Sequence, residues 1–291
     1  MSLTEIAHAK INLYLHVTGK RPDGYHLLDS LVVFAGAGDR LTYVPSGSSL
    51  TLEITGPFGR KLAGEATDDN LVMRAARLLA EGTDAPLTGK IVLEKNLPVA
   101  SGIGGGSADA AATLRLLDRA WDLQTPMARM LEIAERLGAD VPVCLVQQPT
   151  RMRGIGEQLD PAPELPACGM VLVNCGEAVS TPAIFKARNA AFSSEALLPM
   201  GWPTVPAMTD DLALMTNDLE PPARTLCPTI SRVLDAIADL PGCRLSRMSG
   251  SGATCFGLFD SAADAEQAAD QLRQQGDAWW IWGGEVLRRT V

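Results

Sequence analysis

Residues 98–113 read Pro98-Val99-Ala100-Ser101-Gly102-Ile103-Gly104-Gly105-Gly106-Ser107-Ala108-Asp109-Ala110-Ala111-Ala112-Thr113, a glycine-dense segment that runs straight into an alanine-rich one. Upstream, Ile91–Lys95 is a β-type run; downstream, Ala108, Ala111, Ala112, Leu114 and Leu116 fall near helical spacing, so the glycines stand at a strand-to-helix corner. Such a corner suits an anion. Glycines let backbone N–H groups come close to an oxyanion and reach φ > 0, and the helix behind aims its unpaired N–H groups and positive dipole end at the same point. A nucleotide phosphate fits both features. Two known phosphate motifs do not fit the segment: no Lys follows the glycines, as a P-loop requires. Counted from Gly102 and Gly104, the dinucleotide fingerprint meets Ser107 where its third glycine belongs. Taken alone, the segment could equally be a glycine corner with no ligand.

The whole chain narrows the choice. Its 291 residues predict two ordinary domains or one large one. With 34 acidic against 25 basic residues the net charge is −9, which argues against a nucleic-acid partner, since phosphate-backbone binding needs a basic face. No charged-then-apolar leader and no apolar run of spanning length is present, which predicts a cytoplasmic protein without a membrane segment. Six cysteines show neither a CxxC pair nor zinc-type spacing, and reduced, mostly buried thiols are expected.

Residues 7–17 alternate strictly, with Ala7, Ala9, Ile11, Leu13, Leu15 and Val17 on one face of a predicted strand and His8, Lys10, Asn12, Tyr14 and His16 on the other. The second face carries more chemistry than a solvated face requires, and together its residues read as a site lining. A Pro22-Asp23-Gly24 turn leads to Tyr25-His26 and β-type runs over 28–34, 41–44 and 50–55. Asp68-Asp69-Asn70 precedes a predicted helix whose buried stripe is Leu71, Ala75, Leu78 and Leu79, and Gly82 ends it. Thr125-Pro126 starts another helix and Gly138 stops it; Asp140 follows, ahead of the apolar Val141–Val146. A turn or capping role and a base aimed into a cleft are both open to Asp140. Pro161, Pro163 and Pro166 mark the best candidate linker, which divides the chain into domains 1–160 and 161–291. The second half predicts a strand over 169–174, a short helix from Thr181-Pro182 containing Phe185, helices near 210–216 and 228–240, a small-residue corner Ser249-Gly250-Ser251-Gly252-Ala253 before a strand over 255–259, a helix over 262–275 and a strand over 279–282. The mixture predicts an α+β sandwich in each half.

Three stretches in this order, the strand with Lys10 and Asn12, the loop Pro98–Ala112 and the corner Ser249–Ala253, resemble the GHMP kinase superfamily of small-molecule ATP kinases. The motifs AKINLYLHVTGKRPDGYH, GGGSADAA, GADVPV, STPAIFK and SGSGAT carry the resemblance over essentially the full length. It implies a two-domain α+β fold, the N-terminal ATP-binding domain with an unusual left-handed βαβ unit and the C-terminal substrate-binding domain ferredoxin-like, with the active site in the cleft between halves. The cofactors implied are ATP and Mg²⁺, and the partner is a small-molecule cytidine diphosphate alcohol substrate. By resemblance Lys10 and Asp140 are the catalytic pair. Pro98, Val99, Ala100, Ser101, Gly102, Ile103, Gly104, Gly105, Gly106 and Ser107 form the ATP-binding loop, with Gly102–Ser107 as the triphosphate cradle; Asn70, Leu71 and Lys95 lie near the adenosine. Asn12, Tyr25, His26, Asp140, Thr181 and Phe185 meet the substrate: Tyr25 from the first half and Phe185 from the second stack on the cytosine, and His26 reads its edge. The loop departs from the superfamily's common Gly-Leu-Gly-Ser-Ser at Ile103, Gly105 and Gly106, which leaves Ser107 as the only hydroxyl of the cradle and the metal ligands unassigned. Asp109 adds a negative charge close to it.

These residues suit phosphoryl transfer, which needs a phosphate loop, charge neutralisation and a carboxylate to take the hydroxyl proton. Lys10 would keep Asp140 ionised and stabilise the transferring charge. A non-catalytic nucleotide-binding relative would have no need of that pair. A homoserine- or mevalonate-type acceptor would have no need of Tyr25, His26 and Phe185.

Overall fold

The computed structural model describes residues 2–62 and 69–288, so Asp68 of the expected cap lies outside the described residues. The chain forms two compact units: one from Met1–Ala9, Ala37–Val99 and Gly104–Gln147, the other from Lys10–Gly36, Ala100–Ile103 and Gln148–Val291. Neither unit is a single consecutive stretch, because two long strands, β1 (Leu3–Lys20) and β2 (His26–Val44), each contribute to both.

In the first unit, β2 pairs antiparallel with β4 (Gly89–Glu94), and β4 pairs parallel with β3 (Leu50–Thr55). The link between the parallel strands holds α1 (Leu71–Ala80), so β3–α1–β4 is a βαβ unit. Asn70 caps α1 by accepting from the Val72 N–H at 2.9 Å. Helices α2 (Gly105–Ala120), α3 (Met127–Leu137) and α4 (Val141–Val146) pack with it. The start and stop expected for α3 hold, with the Gly138 N–H bonding the Ala134 carbonyl. The apolar run Val141–Val146 is helical rather than extended, which six consecutive apolar residues cannot signal by themselves.

In the second unit, β7 (Gly169–Asn174), β8 (Leu245–Met248), β9 (Thr254–Phe259) and β10 (Trp280–Leu287) form an antiparallel sheet in the order β10-β7-β9-β8. Helix α8 (Thr229–Ala238) joins β7's side of the chain to β8, and α9 (Ala262–Gln274) joins β9 to β10; both pack on the sheet. This βαββαβ order is the ferredoxin-like arrangement expected. The middle strands β7 and β9 are buried at every residue. Gly283 is needed where α9 crosses, since a Cβ there would stand 2.4 Å from the Ala265 carbonyl oxygen. Shorter helices α5 (Thr181–Ala187), α6 (Val205–Ala213) and α7 (Glu220–Leu226) complete the unit.

Two expectations need correction. The runs over 28–34 and 41–44 belong to one strand; Gly36 and Gly38 do not break it but make room, Gly36 for the Trp282 ring and Gly38 for Ile6 and the Ala7 carbonyl. The start of the proline-rich stretch is also not a linker: Gln158–Pro161 is strand β6, paired antiparallel with β5 (Thr150–Gly154), which pairs in turn with β2. Pro161 closes an edge strand, where its missing N–H is tolerated. The six cysteines are all free, and among the described residues no helix is long and apolar enough to cross a membrane.

Candidate active site

In the first unit the glycine segment delivers the start of α2. Gly104 is its N-cap, left-handed at φ 65°, and supplies no capping side chain; the first turn contains no acidic residue. The Ala108 N–H bonds the Gly104 carbonyl at 2.8 Å, which leaves the N–H groups before it for another acceptor. Positive φ is confined to Gly102 (74°) and Gly104 (65°) among the loop glycines, so Gly105 and Gly106 are not there for backbone freedom. They keep the first turn bare: a Cβ on Gly106 would meet Leu71 at 3.7 Å, and one on Gly105 would meet the Lys95 ammonium at 3.5 Å.

Lys95 itself is buried, and its ammonium is held between two carboxylates, donating to Asp39 and to Asp109 at 2.7 Å. Asp39 Oδ1 also accepts the Asn96 and Leu97 N–H groups, at 2.6 and 2.8 Å. Burial alone would lower the lysine's pKa, but the two carboxylates outweigh it and the pKa is raised. Burial pushes the Asp109 carboxyl up to about 7, against the pull of Lys95 and with the help of the Asp39 charge. The negative charge expected near the phosphates is thus sequestered in a buried cluster. Two residues expected near the adenosine have structural tasks: the Asn70 carboxamide caps α1 and the Lys95 ammonium binds Asp39 and Asp109.

Asp140 stands at the N-cap of α4, half-buried, and its side chain makes no capping bond. The capping alternative is therefore not realised.

In the second unit, the three stretches that carried the resemblance come together. The Lys10 N–H bonds the Ile103 carbonyl at 3.0 Å. The Asn12 N–H donates to Ser249 Oγ at 3.1 Å, and that hydroxyl donates to the Gly102 carbonyl at 3.3 Å. Ser101 accepts from the Thr254 N–H at 3.1 Å. Gly102 is packed so tightly on the corner that a Cβ would lie 2.6 Å from Gly252 N and O and 2.7 Å from Ser249 O. The polar row of β1 is buried rather than solvated: Lys10, Asn12 and Tyr14 are each at most 4% exposed. Asn12 Nδ2 donates to Ser30 Oγ at 2.8 Å, while its buried Oδ1 has no partner among the described residues. Tyr14 donates to Asp29, which a two-pronged Arg151 also binds; burial, then the Asp29 charge, raises the tyrosine's pKa. Thr181 Oγ1 and Ser251 Oγ lie 2.7 Å apart, tying the start of α5 to the corner.

Tyr25, His26 and Phe185 all belong to the second unit. His26 stacks on Phe185, with centroids 4.6 Å apart and an 18° interplanar angle, and Tyr25 is 61% exposed. The imidazole, itself a flat ring, gains from covering Phe185. Burial, then the charges of Lys20 and Arg188, lowers the His26 pKa, which keeps the ring neutral near pH 7. The sequence reading missed Arg247 and Asn217. Buried Arg247 donates to the carbonyls of Leu13, Leu212 and Met215, and Asn217 Nδ2 donates to those of Met248 and Gly250. They fix the corner and β1 through backbone acceptors, which no local pattern announces.

Comparisons with known proteins agree with this geometry. The profile of the GHMP kinases N terminal domain matches residues 70–148, and that of the GHMP kinases C terminal domain matches 206–278. A 4-diphosphocytidyl-2-C-methyl-D-erythritol kinase of Gluconacetobacter diazotrophicus is 60% identical, covering 97% of this chain and 94% of the relative. One of Rhodospirillum rubrum is 51% identical, covering 100% and 94%. A solved structure of 4-(cytidine 5'-diphospho)-2C-methyl-D-erythritol kinase superposes with a TM-score of 0.78 at 35% identity, covering 98% of this chain and 99% of that one. A homoserine kinase of Cytophaga hutchinsonii shares the fold, with a TM-score of 0.67 at 19% identity over 98% of this chain and 95% of its own.

Proposed function

We propose, from the premise that the chain belongs to the GHMP kinase family and within it to the 4-diphosphocytidyl-2-C-methyl-D-erythritol kinases, that it transfers the γ-phosphoryl group of ATP to the 2-hydroxyl of 4-diphosphocytidyl-2-C-methyl-D-erythritol, giving the 2-phosphate and ADP. It is an ATP-dependent small-molecule kinase. We place the reaction in the cytoplasm, in the non-mevalonate route to isoprenoid precursors, with residues 1–160 supplying the ATP-binding loop and 161–291 supplying Thr181 and Phe185 to the acceptor beside Asn12, Tyr25 and His26. The observation that carries the reading is the bare, uncapped first turn of α2 behind two left-handed glycines, which suits a polyphosphate. With no carboxylate in that turn it suits no bare cation, so Mg²⁺ would arrive on the nucleotide, to which it supplies charge neutralisation. No residue is assigned to the metal.

In this reading Pro98–Ser107 cradles the phosphates, with Leu71 bordering the first turn and Lys95 acting from beneath it. Asp140 accepts the proton of the acceptor hydroxyl, and Lys10 stabilises charge on the transferring group. The unpartnered Asn12 Oδ1 accepts from a hydroxyl of the acceptor. Tyr25, His26, Thr181 and Phe185 hold the cytosine end. A coupled ATPase assay over a panel of alcohols tests the whole: turnover should be specific to the cytidine diphosphate alcohol, and a preference for homoserine or mevalonate would overturn it.

Gly105→Val should weaken MgATP binding at least about tenfold, because a branched side chain covers the first turn of α2, and leave acceptor binding within about twofold. Calorimetry with each ligand checks this; equal losses would mean that the segment serves both sites. Phe185→Ala should raise KM for cytidine and uridine acceptors alike, losing a stacking surface worth roughly 1–3 kcal/mol. Because His26 rests on Phe185, the same change should also erode the preference for cytidine, as His26→Ala should alone. The kcat/KM ratio of the two acceptors in each variant is the measurement, and equal use of both by the wild type would sink the base-reading role.

A further inference from the structure

The cluster beneath α2 does more than fill space. Its three side chains come from β2, from the residue after β4 and from α2, and they grip both ends of the glycine segment. Upstream, Asp39 Oδ1 holds the Asn96 and Leu97 N–H groups, the last before Pro98. Downstream, Asp109 sits one turn into α2, and the shared ammonium lies within 3.5 Å of where a Gly105 Cβ would be. One cation serves two carboxylates, so with both ionised the buried cluster carries a net −1 directly under the helix N-terminus. Asp109 Oδ1 is buried without a hydrogen-bond partner among the described residues, so charge on that oxygen is uncompensated and the ionised carboxylate is disfavoured.

We propose that Asp39 and Asp109 are positioning residues for the nucleotide's phosphates, and that Asp109 takes up a proton from solvent when those phosphates bind above it. The inference rests on the reading of Gly102–Ser107 as the triphosphate cradle. A polyanion next to two carboxylates sharing one ammonium favours the neutral cluster, and by linkage the neutral cluster favours the polyanion. The carboxyl raised to about 7 makes this exchange occur near neutral pH. Asp109 faces Lys95 and Asp39. Of the other elements packed on α2, α1 turns Arg74 and Arg77 to solvent, α3 turns Glu132, Glu135 and Arg136 to solvent and leaves Arg129 half-exposed, and α4 has no charged side chain. The linkage therefore belongs to the three-residue cluster.

The test is titration calorimetry of MgADP into the full chain at pH 7.5, in buffers of different ionisation enthalpy, with dissociation constants followed from pH 6.5 to 8.5. Wild type should take up about 0.3–0.8 proton per nucleotide and lose roughly three- to tenfold in affinity over that range. Asp109→Asn keeps the shape and an oxygen for Lys95; it should bind with a flat pH profile and take up less than about 0.1 proton beyond what the nucleotide itself exchanges. A merely structural Asp109 would change stability without moving either readout. Nucleotide binding by the wild type without proton uptake, or with uptake unchanged in Asp109→Asn, overturns the proposal, and the wild-type arm decides even if the variant folds poorly. Full nucleotide affinity in Gly105→Val would instead overturn the cradle reading.

Discussion

Asp140→Asn is expected to lower kcat by roughly two to four orders of magnitude, the usual weight of a general base, while MgATP affinity stays within about twofold. The amide matches the carboxylate in shape, so the backbone turn at the start of α4 should persist, with Val141 N on the Gly138 carbonyl and Cys144 N on the Asp140 carbonyl. Since the native carboxylate makes no capping bond to α4, the start of that helix loses no bond in the variant. What the variant removes, under the proposed mechanism, is the basic lone pair that would receive the acceptor's proton. Single-turnover kinetics beside calorimetry separate the two quantities. Turnover within about threefold of wild type would remove Asp140 from the chemistry.

The second large effect is structural. Gly102→Val should destabilise the fold by roughly 3–5 kcal/mol, for two independent reasons. Its φ of 74° lies where a β-branched residue is strained, and a Cβ would be forced to within 2.6–2.7 Å of the backbone of Ser249 and Gly252. Backbone atoms held by the Gly252 N–H to Ser249 carbonyl bond and by Asn217 have little room to retreat. The melting temperature should fall by on the order of 10 °C. A shift under about 2 °C would show that the corner yields, and that its closeness to Gly102 matters little. Gly105→Val, by contrast, should leave the melting temperature nearly unchanged, because its Cβ would make only ordinary contacts.

The sequence displays what repeats locally. Period-two alternation exposed β1, cap and stop residues exposed α1 and α3, and the glycine segment announced the start of α2. The polar row on β1 was legible as something other than a solvated face, and Lys10, Asn12 and Tyr14 are indeed buried, Asn12 on Ser30 and Tyr14 on Asp29. Three kinds of feature were hidden. Glycines that admit a neighbour look like glycines that end a strand, which split β2 in the reading. Arg151 on β5 looks solvated until Asp29, 122 positions away, is seen to receive it. The bonds of Arg247 and Asn217 go to carbonyls, which every residue offers alike. The Asp39–Lys95–Asp109 cluster joins residues 56 and 14 positions apart, and its one local trace is a carboxylate set among the buried alanines of α2. A reading by resemblance supplies roles for single residues but not their neighbours, so it could place Lys95 near a nucleotide and still miss what holds its ammonium.

The interleaving of the two units dictates when each can form during synthesis. The first needs nothing beyond Gln147 and can close while the rest of the chain is still being made. The second must wait: its early portion, Lys10–Gly36, gains β5 as a neighbour only near residue 150, and Ala35 meets Val286 only when β10 has left the ribosome. Until then β7 also lacks β10 on one edge, so an exposed apolar strand persists for more than a hundred residues of translation. A nascent chain stalled shortly before β10 should therefore be a strong substrate for chaperones that bind extended apolar segments, and the released chain, with β10 free to pair, a weak one.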